Sequence, residues 1–136
     1  MSNYIIPTLK YDDASAAIEW LCQAFGFEKH LVVPGDCGRI EHAQLTFRGN
    51  MIMLGSVRDT HFDKLQKTPR AAGGIGTQSP YIIIDDVDAH YQKAVSFGAE
   101  IVMEPEDQGY GGRSYSCKDP EGHLWNFGSY NPWESS

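Results

Sequence analysis

Apolar and polar positions along the chain fall into two similar halves. A run of strand-forming residues, YIIPTLKY (4–11), leads into DDASAAIEWLCQAFGFE, which begins at Asp12. A second run, PYIIID (80–85), leads into DDVDAHYQKAVSFGAE, which begins at Asp85. Ala17, Trp20, Leu21 and Ala24 fall on one face of a helix in the first phrase, and Val87, Tyr91, Ala94 and Val95 do so in the second. Asp12 or Asp13 can accept from the free amides at the first helix start, and Asp86 at the second. Gly26 and Gly98 stop the helices, because glycine takes the left-handed conformation without steric cost.

Three strand-like runs follow each helix. After the first come HLVV (30–33), RIEHAQLTF (39–47) and NMIMLGS (50–56); after the second come EIVME (100–104), RSYSCKD (113–119) and HLWNFGSY (123–130). Glycine, proline and aspartate punctuate the gaps. The order strand, helix, three strands therefore occurs twice and predicts an α+β fold of tandem βαβββ modules. Each unit leaves one sheet face unburied, so open sheets, from one chain or two, pair to form a cleft. The expected division of this single domain is module one at about 1–56, a linker at 57–78 and module two at 79–136.

Composition narrows the functional classes. With 136 residues the chain buries a core without staples. A net charge of −7, with no run of Lys or Arg, argues against nucleic acid as a partner. The cysteines Cys22, Cys37 and Cys117 form no CxxC pair, which points to reduced thiols in the cytoplasm. No stretch has the length of a membrane span, and the first residues lack the apolar run of a signal peptide.

The segment DPEGHLWNFGSY (119–130) reads as a tight turn entering a strand. Asp119 can bond its own downstream backbone, Pro120 presets its dihedral and Gly122 accepts a positive one. Trp125 and Phe127 then face a helix and Asn126 faces the cleft. This segment resembles the DPxGxxxxF turn of the vicinal oxygen chelate superfamily, which includes glyoxalases, bleomycin-resistance proteins, fosfomycin-resistance enzymes and ring-cleaving dioxygenases. The opening LKYDDASAAIEWLCQAFGF is also similar to its glyoxalase/bleomycin-resistance branch. The resemblance spans nearly the whole chain and implies the glyoxalase/bleomycin-resistance fold.

Metal-using members of that superfamily take ligands from four strand positions, which match Ile6, Met53, Ser79 and Asn126 here. Zinc, nickel or iron needs imidazole, carboxylate or thiolate, and these four residues supply none. His30, His42, His61, His90 and His123 are scattered without ligand spacing, so the expectation is no metal and no cofactor.

Strand alternation places Ile40, His42, Gln44 and Thr46 on the cleft side of their strand, and Ala43, Leu45 and Phe47 against the helix. Ile6, Thr8, Met51, Met53, Tyr81 and Ile83 join the cleft side by the same rule. The expected lining is an apolar trough with polar handles at Thr8, His42, Gln44, Ser79 and Asn126, suited to a drug-sized organic molecule. Met51 and Met53 equally suit plain core filling. In the loop EDQGYGGRSYS, Tyr110 offers a stacking surface and Arg113 an anion partner; a simple hairpin turn accounts for the same residues. The stretch 56–79 carries four of the eleven basic residues and a GGIG run that lacks the Lys of a phosphate loop. A connection this long reads as a lid or a linker, with a short helical turn at Asp63–Gln66. Cys117 reads as a small buried apolar residue.

Two functions compete. The resemblance to the bleomycin-resistance branch implies a metal-independent protein that sequesters a hydrophobic or aromatic ligand, as in antibiotic resistance, in the cleft of a homodimer whose chains exchange strands. The acidic net charge would favour a cationic ligand. A glyoxalase-type lyase or isomerase is the alternative; its metal-free version would use His42 as base and Arg113 to hold an oxyanion. A domain whose pocket has decayed and which serves only in assembly is the third reading.

Overall fold

Asp13, rather than Asp12, caps the first helix: its carboxylate accepts the Ala16 N–H at 3.0 Å. In the computed structural model, which describes residues 4–134, the first module runs β1 (Thr8–Tyr11), α1 (Ala14–Phe25), β2 (Glu28–Pro34), β3 (Ile40–Phe47) and β4 (Asn50–Ser56). The second runs β5 (Tyr81–Ile83), α2 (Val87–Ser96), β6 (Glu100–Asp107), β7 (Arg113–Lys118) and β8 (Leu124–Gly128). The sheets are ordered β1-β4-β3-β2 and β5-β8-β7-β6, so both modules use one topology. In each, the strand before the helix pairs in parallel with the last strand and the other pairs are antiparallel. The repeated phrase in the sequence is thus a repeated fold.

The modules meet through their helix-covered faces. Phe25, at the end of α1, packs its ring 5.5 Å from Trp125 and 4.7 Å from Phe127, both on β8 and wholly buried. Gly26 ends α1 at φ +89°, and its amide returns to the Cys22 carbonyl. Trp20 donates its indole N–H to the Phe97 carbonyl at 2.7 Å, tying α1 to the end of α2. Ala14, Ala17, Ile18, Leu21, Ala24 and Phe25 form the buried face of α1. In α2 only Val87 and Ala94 are buried, and Val95, expected inside, lies 42% exposed because much of the shared core is filled by α1.

His90 joins the modules by hydrogen bonds. One ring nitrogen, Nε2, reaches the Phe25 carbonyl at 3.1 Å and Nδ1 reaches the Tyr115 hydroxyl at 2.6 Å. Both bonds are made when Nε2–H donates to the carbonyl and Nδ1 accepts from the tyrosine, so the neutral ring fits. Burial pushes its pKa down; the Phe25 carbonyl opposes this, and Lys93 adds to it. The unfolded chain then takes up a proton that the native ring resists, and stability is lost as pH falls through the ordinary value of about 6.5. Thermal unfolding at about pH 7 and pH 5 should show a drop in Tm that is smaller in His90→Gln. An equal drop in both proteins would remove His90 from the account.

Several boundaries differ from the pattern. The run 4–11 forms a strand only from Thr8, whose partner on β4 is Met53; Tyr4 and Ile5 each stand 92% exposed without a neighbouring strand to hold them. The strand expected at 100–104 continues through Pro105 to Asp107. It is an edge strand, where a missing N–H costs little. The short helical turn sits at Phe62–Lys64 rather than 63–66. Ile40, expected on the cleft side, is buried in the core at the irregular end of β3, where its N–H bonds the Ser56 hydroxyl.

Candidate functional site

The strand faces turned away from the helices carry the candidate residues. On the first sheet, cross-strand pairing sets Thr8, Met53, Gln44 and Leu31 in one row. Lys10 and His42 lie one row further along. These positions alternate with the buried Leu9, Leu54, Ala43 and Leu45, as period-two geometry requires. Met51 and Met53 are half-buried, open on one side to the face.

An open trough of about 440 Å³ lies on this face, lined by Thr8, Lys10, Glu41, His42, Met53 and a strap from the connecting segment. The volume is in the range that holds a drug-sized molecule. Strap residues Arg58, Thr60, Phe62 and Gln66 close one side. Asp63 organises the strap: its carboxylate accepts the Arg58 backbone N–H and takes the Lys10 ammonium at 3.1 Å. Burial alone would raise the Asp63 pKa, but the Arg58 N–H and then Lys10 outweigh it and hold the carboxyl below its ordinary value. Gln66 donates to the Thr8 carbonyl at 3.4 Å, and the Lys10 ammonium stands 5.9 Å from the Phe62 ring centre. Further along, Thr68 is buried and Arg70 reaches Asp12 and the Pro120 carbonyl. The connection is therefore pinned at two places rather than loose.

His42 and Gln44 pair through their side chains at 3.1 Å. With the amide of Gln44 donating to Nε2, the His42 ring proton sits on Nδ1. Thr8, His42 and Met53 line the trough, and Gln44 adjoins them. The structure brings these four expected residues together.

The other four lie in module two. Asn126 donates to the Ser79 hydroxyl at 2.8 Å and the Pro80 carbonyl at 3.1 Å, while its oxygen accepts from Ser116 at 2.7 Å. Its amide is committed to holding β5, β7 and β8 together. Arg113 grips Asp88 at the start of α2 (Nε–Oδ2 3.2 Å) and Asp107 at the end of β6 (3.2 Å). Hydrogen bonds donated to Asp88 first, then to Asp107, raise its pKa. Tyr110 meets Tyr130 edge-on at 5.1 Å and is 63% exposed. Tyr81 crosses β8 above Gly128, where a Cβ would fall 2.6 Å from its hydroxyl, and donates to the Tyr130 carbonyl at 2.8 Å. Ser79 and Asn126 sit on the second sheet's outer face and do not line the module-one trough.

The four positions matched to the superfamily's ligands carry Ile6, Met53, Ser79 and Asn126, a set without a strong donor for a transition metal. Among the described residues no three of His, Cys, Asp and Glu lie close enough to hold an ion. The residues present do not fit the metal of the superfamily. Among the described residues no helix is long and apolar enough to cross a membrane.

A second, smaller cavity of about 130 Å³ lies on the helix side between α1 and the 119–121 turn. Its carboxylates are already engaged. Asp119 accepts from Tyr11 (2.6 Å) and Trp125 (3.1 Å), and Glu121 accepts the backbone N–H groups of Asp12 (2.6 Å) and Asp13 (2.8 Å). Burial and then Asp119 hold the Tyr11 phenol well above its ordinary value, so it stays a donor. Cys117 is fully buried, and burial, with Asp119 adding, pushes its thiol up to about 12. The strap residues and Glu121 were not legible in the sequence; the concentration of basic residues in 56–79 was the one signal pointing to Arg58.

The family model of the Glyoxalase/Bleomycin resistance protein/Dioxygenase superfamily matches residues 6–127. An uncharacterised Mycobacterium bovis protein is 35% identical over 122 residues, covering 90% of this chain and 80% of its own length. A Mycobacterium tuberculosis relative, also uncharacterised, has the same identity and is covered over 71% of its length. Among solved structures, TioX from Micromonospora sp. ML1 is 31% identical, with TM-score 0.75 over 96% of this chain and all of its own. FosX from Listeria monocytogenes, a fosfomycin-resistance protein solved with Mn(II) and sulfate, has TM-score 0.69 at 17% identity, over 97% of this chain and 93% of its own. The FosX likeness shows the fold alone.

Proposed function

The chain belongs to the Glyoxalase/Bleomycin resistance protein/Dioxygenase superfamily, and within it we propose a metal-independent binding protein for a hydrophobic or aromatic small molecule. One observation carries the reading. The outer face of the first sheet is a trough lined by Met53 with donors at Thr8 and His42, and among the described residues no ligand set for a transition metal accompanies it. Binding there needs shape and a few hydrogen bonds rather than a polarising ion.

The proposal includes a homodimer. Within one chain both sheets turn their helix-covered faces inward, so each trough is walled on one side only. A second copy would supply the opposing sheet and cover Leu31 and Met103, which stand 44% and 66% exposed. Sequestration of a drug, as the resistance proteins of the superfamily suggest, is the corresponding biological reading.

The metal-free lyase is less well served by the geometry. It needs Arg113 beside His42, whereas Arg113 is clamped between Asp88 and Asp107.

The test is a titration with the neutral fluorescent probe N-phenylnaphthylamine in excess EDTA, alongside sedimentation. The expected result is saturable binding, unchanged by adding divalent metal, by a species of twice the chain mass. Binding that appears only with metal would overturn the metal-independent reading, and a monomer that binds fully would remove the dimer from it.

A further inference from the structure

Among the described residues two buried polar atoms of the strap lack a hydrogen bond: Asp63 Oδ1, which still takes the Lys10 ammonium at 3.1 Å, and Arg58 Nε, which has no such partner. Buried donors are almost always satisfied, and an orphan is costly. The rest of the guanidinium is weakly held: Nη1 stands 3.9 Å from Glu41, a side chain itself 56% exposed. Lys10, the other cation of the lining, is consumed by Asp63 at 3.1 Å. Arg58 is therefore the wall cation with coordination to spare.

Resting on the proposed ligand trough, we infer that its ligand is an aromatic or apolar molecule bearing an anionic acceptor group, such as a carboxylate, sulfonate or phenolate, and that Arg58 recognises it. A guanidinium edge presents two parallel N–H groups, which match two oxygens of one anion. Thr8 and the Nδ1–H of His42 add neutral donors on the same face, so the polar handles there favour acceptors. The overall charge of −7 favours cations at long range, but that field is screened within about 8 Å at physiological salt. Inside the trough the local donors decide. The strap that carries Arg58 is held by the residue's backbone N–H on Asp63, not by its side chain. The side chain is therefore free for recognition and can be replaced without releasing the strap.

Two probes sharing one ring system make the test. Anilinonaphthalene sulfonate differs from N-phenylnaphthylamine by its anionic group, and both are titrated into the wild type, Arg58→Gln and Glu41→Gln by fluorescence. The wild type is expected to bind the sulfonate more tightly than the neutral probe. Arg58→Gln should weaken the sulfonate by about tenfold or more, the scale of a lost charge-assisted hydrogen bond, and the neutral probe by far less. Glu41→Gln, which removes the competing carboxylate, should tighten the sulfonate alone. If Arg58→Gln affects both probes equally, or neither, the role of Arg58 is wrong while the trough stands. If neither probe binds the wild type, the trough reading falls and this inference with it.

Discussion

Replacing Asp119 by Ala is expected to cost about 3–5 kcal/mol of folding stability, the range for stripping a buried charge from its partners. The carboxylate sits 4% exposed and accepts four hydrogen bonds. Two come from the backbone of its own turn, Glu121 N–H at 3.0 Å and His123 N–H at 3.1 Å. The others come from Tyr11 on β1 and Trp125 on β8. Those two side chains are buried to 1% and 0% exposure, so water cannot take the place of the lost acceptor. Each abandoned donor costs about 1–3 kcal/mol. The loss is a large share of the roughly 5–15 kcal/mol that holds a typical domain together. Tm should fall by roughly 10 °C or more. Asp119→Asn should fall in between, because Oδ1 can still serve the turn while its amide meets the indole N–H donor to donor. Urea and thermal unfolding of the three proteins measure this directly; a loss below about 1 kcal/mol for the alanine variant would sink the account.

The same residue shows how far sequence reasoning reaches. That Asp119 organises a local turn follows from short-range chemistry, since its partners lie two and four residues away. That it also anchors Tyr11, 108 positions earlier, does not. The alternation of Trp125, Asn126 and Phe127 was legible because a strand has a period of two and one face is wholly apolar. The two helices were legible because their caps and stops are local. Strand ends were not: Thr8 begins β1 only because Met53 lies opposite it, and Pro105 is tolerated only because β6 is an edge.

Site residues divide by the same rule. Thr8, His42, Gln44 and Met53 could be placed on one face by counting along strands, and the fold sets them side by side. Arg113 looked like a free cation in a glycine-rich loop, but besides Asp107 in the same hairpin it pairs with Asp88 on α2, 25 positions earlier and out of reach of local reasoning. Arg58 had only the basic composition of its segment to mark it and Asp63 had nothing, since their arrangement depends on the connection folding back across β1.

Met53→Arg is expected to weaken binding of N-phenylnaphthylamine by about 100-fold or more, with the fold intact. Met53 stands mid-row between Thr8 and Gln44, at the centre of the proposed ligand face. Loss of a buried methionine contact alone is worth about 1.5–3 kcal/mol, or roughly tenfold to more than a hundredfold in affinity. An arginine there would also have to shed water beneath a neutral ring system, a further cost. The side chain is half-buried on an open face, so the longer residue can extend into solvent in the unliganded protein. Unfolding should accordingly move by only a few tenths to about 1 kcal/mol, well short of the Asp119→Ala loss. Met53→Ala, which empties the position without adding charge, should weaken the probe by only about tenfold. The contrast between affinity and stability carries the argument, because Met53 packed merely as core would lose stability in both variants and leave probe binding, if it occurs elsewhere, untouched.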